Sequence, residues 1–190
     1  MSLLAGCGGT WKVAYDQGLS ANVTRGWHVH GISVDVPSKL SVSESNTLAP
    51  NADIVWHGEP LGNRRAQVAS IIREGIRNGT SGLNGRRGVN IGARLVHFHA
   101  VTPAAVSRAP GAVHNIAYQI QVQDQRTGEP LSDVETIQAD LEAYVGSAAV
   151  TAAINGQTQR VRIVNHLALV TRGWLGIGPD QRRSFDGIGR

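Results

Sequence analysis

From Trp27 to Val36 the chain alternates. His28, His30, Ile32, Val34 and Val36 share one phase and Val29, Gly31, Ser33 and Asp35 the other, which is the period of a half-buried strand. Pro37 stops it. Asp53-Ile54-Val55-Trp56-His57 is a short apolar run that reads as a second strand, closed by Gly58 and Pro60. The period then changes to that of a helix. Val68, Ile71, Ile72 and Ile76 form one stripe, Asn63 is placed to cap it, and Gly79 with Thr80-Ser81-Gly82 ends it. Arg64, Arg65, Arg73, Glu74 and Arg77 fall elsewhere on this helix and read as a solvated face.

Two longer alternating runs follow. Gly88–Val101 places Val89, Ile91, Ala93 and Leu95 opposite Asn90, Gly92 and Arg94, and Ala112–Asp124 places Ile116, Tyr118, Ile120 and Val122 opposite Gln119, Gln121 and Gln123. The turn residues of Asp124–Pro130 lead into a further strand over Leu131–Ala139, so the last two strands are expected to form an antiparallel hairpin. A second helix is expected over Gln157–Arg172, with Ile163, Leu167, Val170 and Trp174 on one stripe and Gly173 at its cap. The tail beyond Trp174 is too rich in glycine to predict a long element. This order of strands and helices predicts an α+β fold: a single domain with a mostly antiparallel sheet and two principal helices packed on it. Residues 8–25, poor in apolar repeats, read as a flexible tether with a short strand at Trp11–Tyr15, which leaves 26–190 as the domain.

Composition narrows the function classes. The 190 residues suffice for one hydrophobic core, 41% of them are hydrophobic, and no window stays apolar for the roughly 18 residues of a membrane span. The net charge is +4, and 16 of the 18 basic residues are arginine. They occur as scattered pairs, Arg64-Arg65, Arg86-Arg87 and Arg182-Arg183, and not as a basic stripe with interleaved aromatics, so no nucleic-acid partner is expected. No Gly-x-Ser-x-Gly, Gly-Lys-Ser or His-Glu-x-x-His motif is present, and no small-molecule substrate is indicated. Asp133, Glu135, Asp140 and Glu142 are ordinary charges for strand or helix edges. The expectation is a protein that is not an enzyme.

Cys7 is the one cysteine and stands directly behind Leu3-Leu4-Ala5-Gly6. This run resembles the processing site of bacterial lipoproteins. The resemblance implies that Cys7 becomes an acylated first residue, with the acyl chains binding a membrane by burying methylenes. Only Met1–Gly6 precede it, shorter than a signal segment requires, so either the start codon lies upstream and 1–7 is a signal remnant with its lipobox, or Cys7 is an ordinary cysteine near an amino terminus. Gly8, not Asp, follows the cysteine, as in lipoproteins sent to the outer membrane and facing the periplasm. The element order, with the Asp124-Gln125-Arg126-Thr127-Gly128 turn between long strands, is similar over about Trp27–Ala143 to small periplasmic lipoprotein domains. Their fold resembles the amino-terminal domain of TolB, and uncharacterised alphaproteobacterial lipoprotein families share this layout. The resemblance implies an accessory or binding role beside another envelope protein and supplies no functional residue beyond Cys7.

Two further sets of residues are candidates. His28-Val29-His30 and His97-Phe98-His99 are both His-x-His, which on a regular strand puts two imidazoles on one face, as zinc sites require. With His114 on the neighbouring strand, His97 and His99 would make a three-histidine site. Histidine also stands where a core face meets solvent, and no carboxylate lies close in sequence to orient these rings. Zinc is therefore the alternative to a binding module without a cofactor. Trp56, Trp174 and Leu175 lie beside Gly and Pro and are candidate interface anchors, since rigid rings bury area at low entropic cost.

Overall fold

The computed structural model describes residues 8–188, so Cys7 and the 1–7 segment lie outside the described residues. In chain order the elements are β1 (Gly8–Ala14), α1 (Ala21–Thr24), β2 (Trp27–Asp35), β3 (Val42–Ser43), β4 (Ile54–Val55), α2 (Arg64–Thr80) and β5 (Arg87–His99). Then come α3 (Pro103–Arg108), β6 (Ala112–Asp124), β7 (Glu135–Ala139), β8 (Leu141–Ala143), α4 (Gly146–Ile154), α5 (Gln159–Trp174) and β9 (Arg183–Ile188). The described strands form one mixed, mostly antiparallel sheet in the order β3-β4-β5-β6-β7-β1-β9, with β2 also on β5 and β8 also on β6.

β5 and β6 make the spine, antiparallel from Val89↔Asp124 to His99↔Asn115. The expected hairpin is present: β7 returns along β6 from Ile120↔Glu135 to Ala117↔Gln138, and Gly128 takes the left-handed turn conformation at φ 73°. β2 and β4 share the other edge of β5, both parallel to it.

α2, 17 residues long, begins where the sequence placed it, while α5, 16 residues long, begins two residues later than expected and runs through Gly173 to a C-cap at Leu175; each start has a side-chain cap. Asn63 Oδ1 accepts from the Ala66 N–H and Thr158 Oγ1 from the Val161 N–H. Their apolar stripes meet the sheet and each other, with Ile71, Ile72, Ile76, Ile163, Leu167 and Val170 all buried. The helices touch at Gly75 and Gly79. A Cβ at Gly75 would lie 2.5 Å from Leu167 Cβ, and one at Gly79 would lie 2.6 Å from Thr171 Cβ. Both obstacles are at the root of a side chain and cannot swing aside. Gly75→Ala is therefore expected to lower stability by about 1–3 kcal/mol on urea unfolding, despite the higher helix propensity of alanine.

The arginines of α2 are not all a solvated face. Buried Arg64 pairs with Glu44 at 2.8 Å and donates to the Glu59 and Pro60 carbonyls, and Arg65 donates to the Leu40 carbonyl at 2.6 Å. Each fastens a loop that has little apolar surface of its own.

Residues 8–25 are part of the fold, which corrects the expectation of a tether. β1 pairs with β9 from Gly8↔Ile188 to Val13↔Arg183 and with β7 at Val13↔Ala139. Buried Asp140 fixes this seam, accepting from the Lys12 and Ile116 N–H groups and from the Asn115 and Gln138 amides. The tail also forms an element, β9, because β1 offers it an edge.

Candidate functional site

The histidine pairs coincide with two β-bulges, and this decides where they point. β5 slips register between Leu95 and His97, with Val96 as the extra residue. Leu95 and Phe98 therefore both face the core, while His97 and His99 pair with Ala117 and Asn115 on the opposite face. His114 alternates with Asn115 and stays on the helix-covered face with Ile116 and Tyr118, fully buried. The sheet separates His114 from His97 and His99, so the expected three-histidine site is not assembled.

β2 slips in the same way between Val29 and Gly31. His28 sits opposite Gly88, away from the face that carries Ile32, and His30 stands exposed at the bulge. The His28 Nδ1–H donates to the Gly85 carbonyl at 2.9 Å and the His99 Nε2–H to the Pro50 carbonyl at 2.8 Å, since a carbonyl can only accept. His97 and His99 border a polar hollow with Asp53, Ser41 and Asn115. Burial lowers the His97 pKa, with Asp140 and Asp53 opposing. Among the described residues no three His, Cys, Asp or Glu side chains converge as metal ligands would.

His114 and His166 are enclosed between the sheet and α5. Burial, with Arg162 and His166 adding to it, pushes the His114 pKa down to about 3. Burial, with Arg183 and Arg162 adding to it, pushes His166 down to about 4, while the Asp140 and Ala139 carbonyls act the other way. The Val101 N–H donates to His114 Nδ1 at 3.4 Å, so the neutral ring carries its proton on Nε2.

The aromatic candidates are core residues, not interface anchors. Trp56 is fully buried, edge-on to Phe98 at 5.8 Å, and its Nε1–H donates to Glu59. Gly58 lies against its ring, where a Cβ would come within 2.3 Å. Trp174 is 1% exposed and Leu175 is buried, in a core cluster that includes Tyr15 and Leu19. The Leu19 N–H donates to the Trp174 carbonyl and Thr24 Oγ1–H to the Leu175 carbonyl, so the segment that sequence read as a tether closes over them. Glu135 is likewise committed, accepting from the Asp16 and Gln17 N–H groups.

A surface that sequence reasoning missed is the apolar end of the domain. Gly8 pairs with Ile188, and Ile188 shares a hollow of about 270 Å³ with Leu48, Ala105, Ala109, Ala112 and Val113. Ala112 pairs with Ala143 of β8, from which the chain enters α4. α4 has no buried residue, with Val150 60% and Ile154 80% exposed. A second hollow of about 300 Å³ separates it from the start of α5, beside Tyr144, whose ring lies 3.6 Å under the Arg162 guanidinium. One signal was available: residues 143–159 contain no charged side chain.

No helix among the described residues is long and apolar enough to cross a membrane. Comparison with curated proteins gave no match. Among solved structures, the chain is similar to the PelC dodecamer from Paraburkholderia phytofirmans, with 11% identity, a TM-score of 0.33, and 85% of this chain and 98% of that chain covered. It is also similar to a minor lipoprotein from Acinetobacter baumannii, with 10% identity, a TM-score of 0.35, and 77% and 90% covered. Likenesses of this size assign no activity to the chain. The model of the Family of unknown function (DUF6778) matches residues 27–190, and the chain belongs to that family.

Proposed function

We propose that the protein is a lipoprotein of the bacterial envelope, held at the outer membrane by acyl chains on Cys7 and facing the periplasm, where it serves as a non-enzymatic binding module for another envelope protein. The observation that carries this reading is the join between the Leu3-Leu4-Ala5-Gly6-Cys7 run and the fold: Gly8, the next residue, is already paired in the sheet. An anchor there holds a folded domain against the bilayer with no spacer. Reach through a flexible lead is thus dropped from the mechanism, and any partner must come to the membrane surface.

The intact mass of the amino-terminal peptide, from protein made in its native host with the upstream DNA retained, tests the reading. A peptide beginning at Cys7 and heavier by a diacylglyceryl group is expected. An unmodified peptide beginning at Met1 or Ser2 would remove the anchor.

A further inference from the structure

The placement of α4 is at odds with its composition. Its sequence, Gly-Ser-Ala-Ala-Val-Thr-Ala-Ala-Ile, is uncharged, with only Ser147 and Thr151 polar, and a helix so rich in apolar residues is expected to bury a face. Yet none of its residues is buried, its N-cap residue Val145 makes no side-chain cap bond, and nine residues are too few to hold a helix in water by propensity alone. Its C-terminus is closed, with Gly156 left-handed at φ 74° and the Gln157 N–H donating to the Ala152 carbonyl. One side of the helix rests near α3, with Ala149 and Ala152 half-buried, while Val150 and Ile154 on the other side are covered by nothing among the described residues.

Its position indicates what covers it. Ala105, Val106 and Ala109 of the α3 region cluster with Ala143 and Val145, which lead into α4. The same α3 region lines the hollow that Ile188 closes, and Ile188 is the partner of Gly8. The uncovered helix and the residue next to Cys7 therefore belong to one end of the domain.

We propose that this end, formed by α3, α4, Leu48 and Ile188, is a membrane-contact surface, with α4 lying flat at the boundary of headgroups and acyl chains and Val150 and Ile154 in the apolar layer. A nine-residue helix is about 14 Å long, too short to span a bilayer but long enough to lie in its interface. Tyr144 and Arg162 fit the rim of such a contact, an amphipathic ring and a cation at headgroup depth. The choice of a bilayer over a protein partner rests on the anchoring reading above, which brings a membrane to this end.

The test uses the full chain as Cys7→Ser, so that no acyl chain contributes, mixed with vesicles of phosphatidylethanolamine and phosphatidylglycerol and separated by flotation. The protein is expected to float with the vesicles, and Val150→Gln with Ile154→Gln to reduce the floated fraction about tenfold or more. Both side chains are exposed, so the melting temperature and circular dichroism of that variant should match the parent. Failure of the Cys7→Ser chain to float, or equal flotation of the Gln variant, overturns the proposal. So does a parent that does not float but sediments as a dimer that the Gln variant converts to monomer, because the surface then belongs to a second copy. The two readings fail separately. An unmodified amino-terminal peptide with intact flotation removes the anchor and keeps the surface, and an acylated peptide with no flotation of the Cys7→Ser chain does the reverse.

Discussion

The protein is expected to lose about 3 kcal/mol of stability between pH 6.5 and pH 5, a large part of the 5–15 kcal/mol typical of a domain. His114 and His166 are the cause. Each titrates near 6.5 in the unfolded chain, whereas the fold holds their pKa values at about 3 and about 4. Below pH 6.5 the unfolded state binds the protons that the folded state refuses, so stability is fully present above that value and falls as pH drops towards the folded pKa values. Well below pH 6.5 the two groups together contribute roughly 3 kcal/mol per pH unit, and half of that slope at pH 6.5 itself. Arg162 faces both rings and Arg183 faces His166, so the His114 imidazolium would find no compensation and the His166 imidazolium only that of the Asp140 and Ala139 carbonyls.

Urea midpoints at pH 7, 6 and 5 measure the slope. His114→Gln should lower stability at pH 7 through lost packing, yet halve the dependence on pH, because it removes one of the two proton sites. An unchanged slope in that variant would show that the acid sensitivity lies elsewhere.

Trp174→Ala is expected to cost about 3–5 kcal/mol, the range for deleting a large buried ring. A loop anchor at a free surface would change stability little on truncation, so urea unfolding separates the two roles. Trp174→Phe sharpens the test. The indole Nε1 is buried with no hydrogen-bond partner among the described residues, and phenylalanine removes that unpaired donor while keeping most of the apolar volume. The Phe variant should therefore lose far less than the Ala variant. Equal losses would show that the pocket is specific for the outline of the indole.

Local pattern was informative where burial acts through a short repeat. The stripes of α2 and α5, the alternation of β5 and β6, and the turn that joins β6 to β7 are all legible, because one buried face imposes a period of 3.6 or 2. The same rule misled at the histidines. A bulge adds one residue to one strand, and that residue inverts every face assignment beyond it while leaving the sequence alternation looking intact. His28 and His30 appeared in phase with Ile32, and His97 with Leu95, but the extra residues lie at His30 and Val96. The α4 helix was missed for another reason: with no charged residue and only Ser147 and Thr151 polar, it has little amphipathic period to detect.

The two long helices, the long strands and their hairpin, and the run at Leu3–Cys7 that the anchoring reading needs were all legible in the residues alone. Only packing of the whole chain settled which face each histidine takes, that the lead segment is a sheet strand and a cover for Trp174, and that Ile188, the partner of Gly8, shares a hollow with the α3 region on which α4 rests. Those outcomes depend on pairings between residues as far apart as Gly8 and Ile188, chosen by packing of the whole sheet. A short window of sequence carries no signal for them, because the energy that selects such a contact is shared among all the strands that close around it.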